Sequence, residues 1–395
     1  MEQLNSPVTQ SAAFTARLAT SAIFFLNGFV FASWVLHIPF VREKLGLSTG
    51  VLGLALLGIA VGSLLSMPLT GNLIARYGSK KLTRLFAALN PLTLTLLVLA
   101  PTLPALVLAL LVYGVVNGAL DVSMNAQGVA VERRMGRPIL SSFHAWFSFG
   151  GLAGAGLGSL LLGAGVSPVA HVLGVAAVLL AVALFSGSPL LPRAADVRED
   201  APPAVRRGWH PSSAMLLLGS LGFLGLLGEG AIGDWSGVYF RDQLGAGAAL
   251  SGLGFTAFSL AMTFGRAFGD VWRARFGDAR LLGVGATLSG LGLLAALLIG
   301  NPFGAAIGFA AFGVGVANIV PVLFSAAGSV GAAGQGIAQV STLSYLGFLA
   351  GPPLIGLIAQ ELGLRIGLGF VAGCALLIAL LSPRALRRTV GEPFA

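Results

Sequence analysis

The chain has 395 residues, 56% of them hydrophobic and only 9% charged, with 57 glycines and a formal net charge of +9. That balance lies far outside the range of soluble globular domains and reads as a polytopic protein of the lipid bilayer. The basic residues stand in short runs at the ends of apolar segments (Arg76, Lys80, Lys81, Arg84; Arg133, Arg134, Arg137; Arg206, Arg207; Arg384, Arg387, Arg388), not as a stripe interleaved with aromatics, which argues against nucleic acid, and the single cysteine, Cys374, excludes an internal disulfide or a thiolate metal site.

With about 20 residues per crossing, the apolar pattern predicts helices near 14–36, 48–74, 82–101, 104–131, 139–164 and 168–190, then 212–239, 248–272, 279–300, 302–326, 334–360 and 364–382. The first run is too long for a signal-peptide core and lacks a small-residue cleavage site, so it is read as a span. It carries Asn27 and Trp34. Segments 6, 9 and 12 hold little beyond Ala, Leu, Val and Gly and are expected to face lipid. Polar residues collect on segments 1, 4, 5, 7, 8, 10 and 11, the pattern expected when selected helices line an aqueous cavity.

In segment 4, Asn117, Asp121 and Asn125 recur every four residues and therefore share one helix face. Amides on such a stripe serve either as interhelical glue or as substrate contacts. Asp121 is harder to excuse, because a carboxylate at that depth costs about 2.5–3.5 kcal/mol on insertion scales and tends to mark a proton or substrate path. His144 in segment 5 is either a proton relay, a donor to substrate, or a satisfied packing histidine. Trp34, Trp146, Trp235 and Tyr345 offer stacking faces for a ring-shaped substrate, or packing and interfacial anchors.

The polar interruption from Leu191 to Ser213 reads as a flexible linker. It divides the chain into a six-helix bundle at 1–190, a linker at 191–211 and a second bundle at 212–395. Just beyond it, Gly228-Glu229-Gly230-Ala231-Ile232-Gly233-Asp234-Trp235 surrounds a mid-depth acid with three glycines. That run predicts a locally broken or bent helix, in which Glu229 exchanges a proton and freed backbone groups meet substrate. Asp234 lies nearer the outer face. Arg266 and Asp270, one turn apart in segment 8, read as a gate pair, and Asn318 and Gln339 complete the polar set on segments 10 and 11. No nucleotide loop, paired nucleophile and base, or metal-ligand spacing is visible, so neither an ATP-driven pump nor an enzyme is expected, and no cofactor beyond a coupling proton.

The halves echo each other. A shift of 199 positions aligns Arg42-Glu43-Lys44-Leu45-Gly46 with Arg241-Asp242-Gln243-Leu244-Gly245, Gly53-Leu54 with Gly252-Leu253, and Arg76-Tyr77-Gly78 with Arg275-Phe276-Gly277. A second echo pairs Gly150-Gly151-Leu152-Ala153-Gly154 with Gly347-Phe348-Leu349-Ala350-Gly351. Repeats six spans apart keep one orientation, and their interface is the natural substrate path. Counting loops alternately puts 18 Lys/Arg on the side of both termini and four on the other, with Arg266 inside a span, which places both termini in the cytoplasm.

Gly71-Asn72-Leu73-Ile74-Ala75-Arg76-Tyr77-Gly78-Ser79-Lys80-Lys81 resembles the loop 2–3 signature of the major facilitator superfamily, with Ala75 where that family usually has Asp. The second copy, from Gly269 through Asp270 and Arg275 to Gly277, keeps an acid at a shifted place, so the resemblance implies gating roles for Arg76, Gly78, Arg266, Asp270 and Arg275. Four further runs begin at Asp121, Phe143, Glu229 and Gly351-Pro352-Pro353. In this order they are similar to the YbjJ-like branch, near the fucose:proton symporters. The resemblance implies an all-α major facilitator fold of twelve transmembrane helices in two six-helix bundles, alternating access and proton coupling. The expectation is a monomeric secondary transporter in the cytoplasmic membrane that moves a small polar organic solute of a sugar-like kind, with Asp121 or Glu229 carrying the proton. An exporter of amphipathic compounds and a non-transporting receptor are the alternatives.

Overall fold

The computed structural model describes residues 10–47, 49–196, 211–246, 250, 253–329 and 333–390, and among these the chain is helical apart from short connections. The helices of the first half are α1 (Gln10–Lys44), α2 (Thr49–Tyr77), α3 (Ser79–Leu99), α4 (Leu103–Met135), α5 (Leu140–Gly163) and α6 (Pro168–Gly187), followed by a 3-10 turn at Arg193–Asp196. Those of the second are α7 (Ser213–Val238), which runs into a π-helical turn at Tyr239–Gln243, then α8 (Leu253–Phe276), α9 (Asp278–Leu298), α10 (Pro302–Val316), α11 (Ile319–Gly328), α12 (Ala333–Leu362) and α13 (Leu364–Val390). Among the described residues, eleven segments are long and apolar enough to cross a membrane, α10 and α11 together forming one of them. The remaining long helix, α8, has 24 residues and carries Arg266, Asp270, Arg273 and Arg275, which lower its hydropathy.

Local sequence explains where several helices start. Thr102, Ser167 and Asn301 each accept a hydrogen bond from the backbone N–H three residues on, with a proline in the first turn that needs no partner for its missing N–H. Gly136 ends α4 in the left-handed conformation at φ 62°, where a Cβ would be strained.

The chain forms two compact units, Met1–Arg207 with Gly331–Ala338, and Gly208–Val330 with Gln339–Ala395. In the first unit α2 packs on α4, α1 on α5, and α3 on α4 and α6; in the second, α8 packs on α10, α9 on α10 and α13, and α7 on α13. Each unit thus repeats one packing scheme. The glycine echo has a steric cause: a Cβ at Gly150 would lie 2.0 Å from the carbonyl oxygen of Phe25, and one at Gly347 would lie 2.0 Å from that of Phe223. Backbone touches backbone at both places, as small residues allow between membrane helices. The stretch Gly331–Ala338 groups with the first unit because Gly334 meets Ile74 and Ala338 meets Gly71 at the end of α2.

Two expectations change. The break anticipated at Gly228–Gly233 is absent: α7 is continuous through it, and the helix breaks instead at Ala317–Asn318, between α10 and α11. Each interior glycine costs a helix about 1 kcal/mol, but an unsatisfied backbone group in hydrocarbon costs more, so α7 stays wound. Its glycines serve packing, with Gly228 against Phe312 and Gly230 against Phe348. At the real break α8 supplies one backbone partner, Arg266 Nε donating to Ala317 O at 3.4 Å, and the Asn318 side chain ties the break to α8 by donating from Nδ2 to Gly265 O at 2.9 Å. The second change concerns the linker, whose first residues are packed: Leu191, Ala195 and Asp196 are buried. Residues 197–210 and Gly252, with the side chains of Arg42, Arg241, Pro352 and Pro353, lie outside what the structure describes.

Candidate functional site

Each unit carries its own polar cluster. In the first, the four-residue spacing on α4 places Asp121 and Asn125 on one face, where Asn125 Nδ2 donates to the Asp121 backbone oxygen at 2.9 Å and to its Oδ1 at 3.2 Å. His144 on α5 meets Asn125 Oδ1 at 3.2 Å through Nε2, while its ring edge packs on Phe24 of α1. Asn125 accepts at that oxygen, so the bond requires the proton on Nε2. One turn further round, Asn27 on α1 accepts from Asn90 Nδ2 at 2.8 Å and reaches Met124 Sδ at 3.9 Å. Asp121 is 7% exposed, and its Oδ2 has no hydrogen-bond partner among the described residues. Asn117 is half-buried on the same helix. The cluster is therefore part glue, through Asn27 and Asn125, and part unspent polarity, at Asp121.

Asn90 on α3 was not singled out by the sequence reading, although an Asn in the middle of an apolar span is the signal that would have found it. The aromatic candidates separate. Trp34 is buried with its Nε1 unpartnered among the described residues, whereas Trp146 is 44% exposed beside Phe25 and Phe149, away from His144.

In the second unit Arg266 of α8 reaches Glu229 of α7, its Nη2 lying 3.4 and 3.5 Å from the two carboxylate oxygens. The guanidinium side chain is 9% exposed and the carboxylate 26%. This cluster sits beside the helix break, where Asn318 is buried and its Oδ1 has no partner among the described residues. Asp234 is exposed and Trp235 half-buried, with the indole against Gly356; Gln339 and Tyr345 are half-buried on α12. Asp270, half-buried, stands one turn from Arg266 on α8.

The signature positions are exposed or structural. Arg76 lies over the Tyr77 ring at 5.1 Å, and Arg275 over Phe276 at 5.4 Å. Gly78 takes φ 85° at the start of α3, and Gly277 takes φ 76° at the start of α9. Two features here were missed from sequence: the bidentate pair of Arg273 with Asp278, at 2.8 and 3.0 Å, and Glu132 Oε2 accepting from the N–H groups of Ile139 and Leu140 at the head of α5. The described residues contain no group of three or more His, Cys, Asp or Glu arranged to hold a metal ion.

A family model described as the Major Facilitator Superfamily matches residues 12–245. An uncharacterized MFS-type transporter of Yersinia pestis is 39% identical over 375 residues, spanning 94% of this chain and 96% of the relative. The membrane protein MosC of Rhizobium meliloti is 33% identical over 378 residues, spanning 94% and 90%. Among solved structures, the Escherichia coli fucose:proton symporter superposes with a TM-score of 0.73 at 14% identity, covering 93% of this chain and 98% of that one. The human organic anion transporter MFSD10 gives 0.73 at 16% identity, covering 94% and 99%.

Proposed function

This chain belongs to the major facilitator superfamily, and from that premise we propose that it is a proton-coupled secondary transporter of a small polar organic solute. It is a multi-pass membrane transporter, not an enzyme, as the names of its relatives indicate. The observation that carries the finer reading is Asp121: a carboxylate 7% exposed, within a span, with one oxygen unpartnered among the described residues and the other bonded to the Asn125 amide, which in turn meets the His144 imidazole. Such a group is costly to keep charged in hydrocarbon unless it serves a hydrated path. Protonation removes that charge while the halves change access; loss of the proton on the other side restores it. Asn125 holds the carboxylate, His144 holds Asn125, and both offer polar contacts to a hydroxylated solute. Glu229, already facing Arg266, is the second candidate, since breaking that pair leaves a carboxylate that a proton would neutralise. The basic loop asymmetry supports a cytoplasmic-membrane location with both termini inside.

The test is counterflow and pH-driven uptake in proteoliposomes with a panel of radiolabelled sugars, polyols and amino sugars. Asp121→Asn should retain exchange of the transported solute and lose acceleration by a pH gradient. Full pH dependence in that variant would remove Asp121 from the mechanism.

A further inference from the structure

The first unit starts α3 with an acid borrowed from far along the chain. Asp196, in the 3-10 turn after α6, is 6% exposed and accepts from the backbone N–H of Ser79 at 2.7 Å through one oxygen and from the Ser79 hydroxyl through the other. Gln127 of α4 closes the arrangement: its Nε2 donates to Ser79 Oγ at 2.6 Å and to the Leu191 carbonyl at 3.0 Å, and its Oε1 accepts from the Leu191 N–H at 3.0 Å. Two more ties flank it, Arg193 Nη2 to the Ala75 carbonyl at 2.8 Å and Lys80 Nζ to the Ser188 carbonyl at 2.6 Å. Arg193 also lies so close to Gly78 that a Cβ there would come within 2.7 Å of it. A carboxyl acceptor at the first N–H of a helix satisfies an orphan donor there.

The internal repeat shows what is missing without it. A shift of 199 places Asp278 of α9 at the position of Ser79, so the second unit carries an acid in the first turn of the corresponding helix and the first unit does not. Asp278 pairs with Arg273 inside its own unit. Ser79 receives its carboxylate from Asp196 instead.

We propose that residues 191–196 form a strap that fastens the start of the linker to the turn between α2 and α3, with Asp196 as the positioning residue that holds it. The fastened stretch then includes Leu191 through Asp196. The strap bears on the end of α2 and the start of α3, where Gly71 and Ile74 seat Ala338 and Gly334 of the same unit. This inference does not depend on the identity or coupling of the transported solute.

Limited trypsin digestion and hydrogen exchange on the full-length protein in detergent micelles test it. In wild type, cleavage after Arg193 should be slow relative to cleavage after Arg206 and Arg207, and the Ser79 amide should be protected. Asp196→Ala removes both acceptors, so the Arg193 cut and exchange at the head of α3 should each accelerate about tenfold, the scale of a lost buried hydrogen bond. Asp196→Asn, which keeps one oxygen, should fall between, and Asp278→Asn should leave both readouts at the α3 site unchanged. If Asp196→Ala does not fold, Ser79→Ala carries the comparison: it removes the hydroxyl tie to Asp196 and the Gln127 bond to that hydroxyl, and keeps the backbone N–H bond to Asp196. Equal cleavage after Arg193 in wild type and variant, or unchanged exchange at Ser79, would overturn the proposal.

Discussion

Cutting the Glu229–Arg266 pair should destabilise the second unit in an unequal way. Arg266 Nη2 stands 3.4 Å from the nearer carboxylate oxygen, a Coulomb attraction of about 5 kcal/mol at an effective dielectric of about 20 and about 1 kcal/mol in bulk water. The two side chains are 9% and 26% exposed, so the pair lies between those limits and nearer the buried one. Glu229→Gln leaves the more buried partner, the guanidinium, without its counter-charge, and should cost about 2–3 kcal/mol, below the about 3–5 kcal/mol typical of a fully buried pair because the bond is long. Arg266→Gln leaves the more hydrated carboxylate and removes the donor to Ala317 O, and should cost about 2 kcal/mol. The double variant replaces two charges by two amides and should recover part of the loss, giving a coupling of about 2 kcal/mol. Unfolding by SDS in mixed micelles, read by far-ultraviolet circular dichroism, measures all four corners of the cycle. Additivity within about 0.5 kcal/mol would mean that the two charges do not sense each other, and the reading of this pair would fail.

Gly150→Ala and Gly347→Ala should each cost about 1–3 kcal/mol, since the new methyl would sit 2.0 Å from a backbone oxygen; Gly174→Ala, which has nothing within 4 Å, should be neutral or stabilising by up to about 1 kcal/mol, and thermal melts in detergent compare the three. Asp278→Asn removes a bidentate partner from Arg273, whose side chain is 2% exposed, and should lower stability by about 1–3 kcal/mol in the same melts. The strap should respond to pH. Burial raises the Asp196 carboxyl above its ordinary value, an effect partly offset by the Ser79 hydrogen bonds and by Arg133 and Arg193 nearby. The fastened state therefore holds the proton more tightly than the free one, so fastening is strongest at acid pH and weakens as pH rises through the raised value. Tryptic cutting after Arg193, normalised to Arg206 and Arg207, should increase across that window in wild type and stay flat in Asp196→Asn; the opposite slope would refute the sign.

Much of the architecture was legible because membrane helices announce themselves by length and apolarity, and because a repeat leaves glycines wherever two backbones must touch. Gly150 and Gly347 could be paired from sequence since no other residue fits against Phe25 O and Phe223 O. Asp121 and Asn125 could be placed on one face from spacing alone. Glycine content misled at Gly228–Gly233, where it predicts a break: the same residue that loosens a helix in water serves close packing in lipid, and the sequence does not distinguish the two uses. The break at Ala317–Asn318 was hidden because its compensation comes from Arg266 and Gly265, about 50 residues away in the chain.

The sequence by itself determined the membrane class, the helical spans, the two-fold repeat and which ionisable groups lie within the spans, because each depends on local composition or on a fixed helical period. Only the tertiary structure decided which of these groups meet: Arg266 with Glu229, Asn27 with Asn90, and Asp196 with Ser79. Such pairs are set by how separate helices pack in three dimensions, and that geometry has no signature in the spacing of residues along the chain.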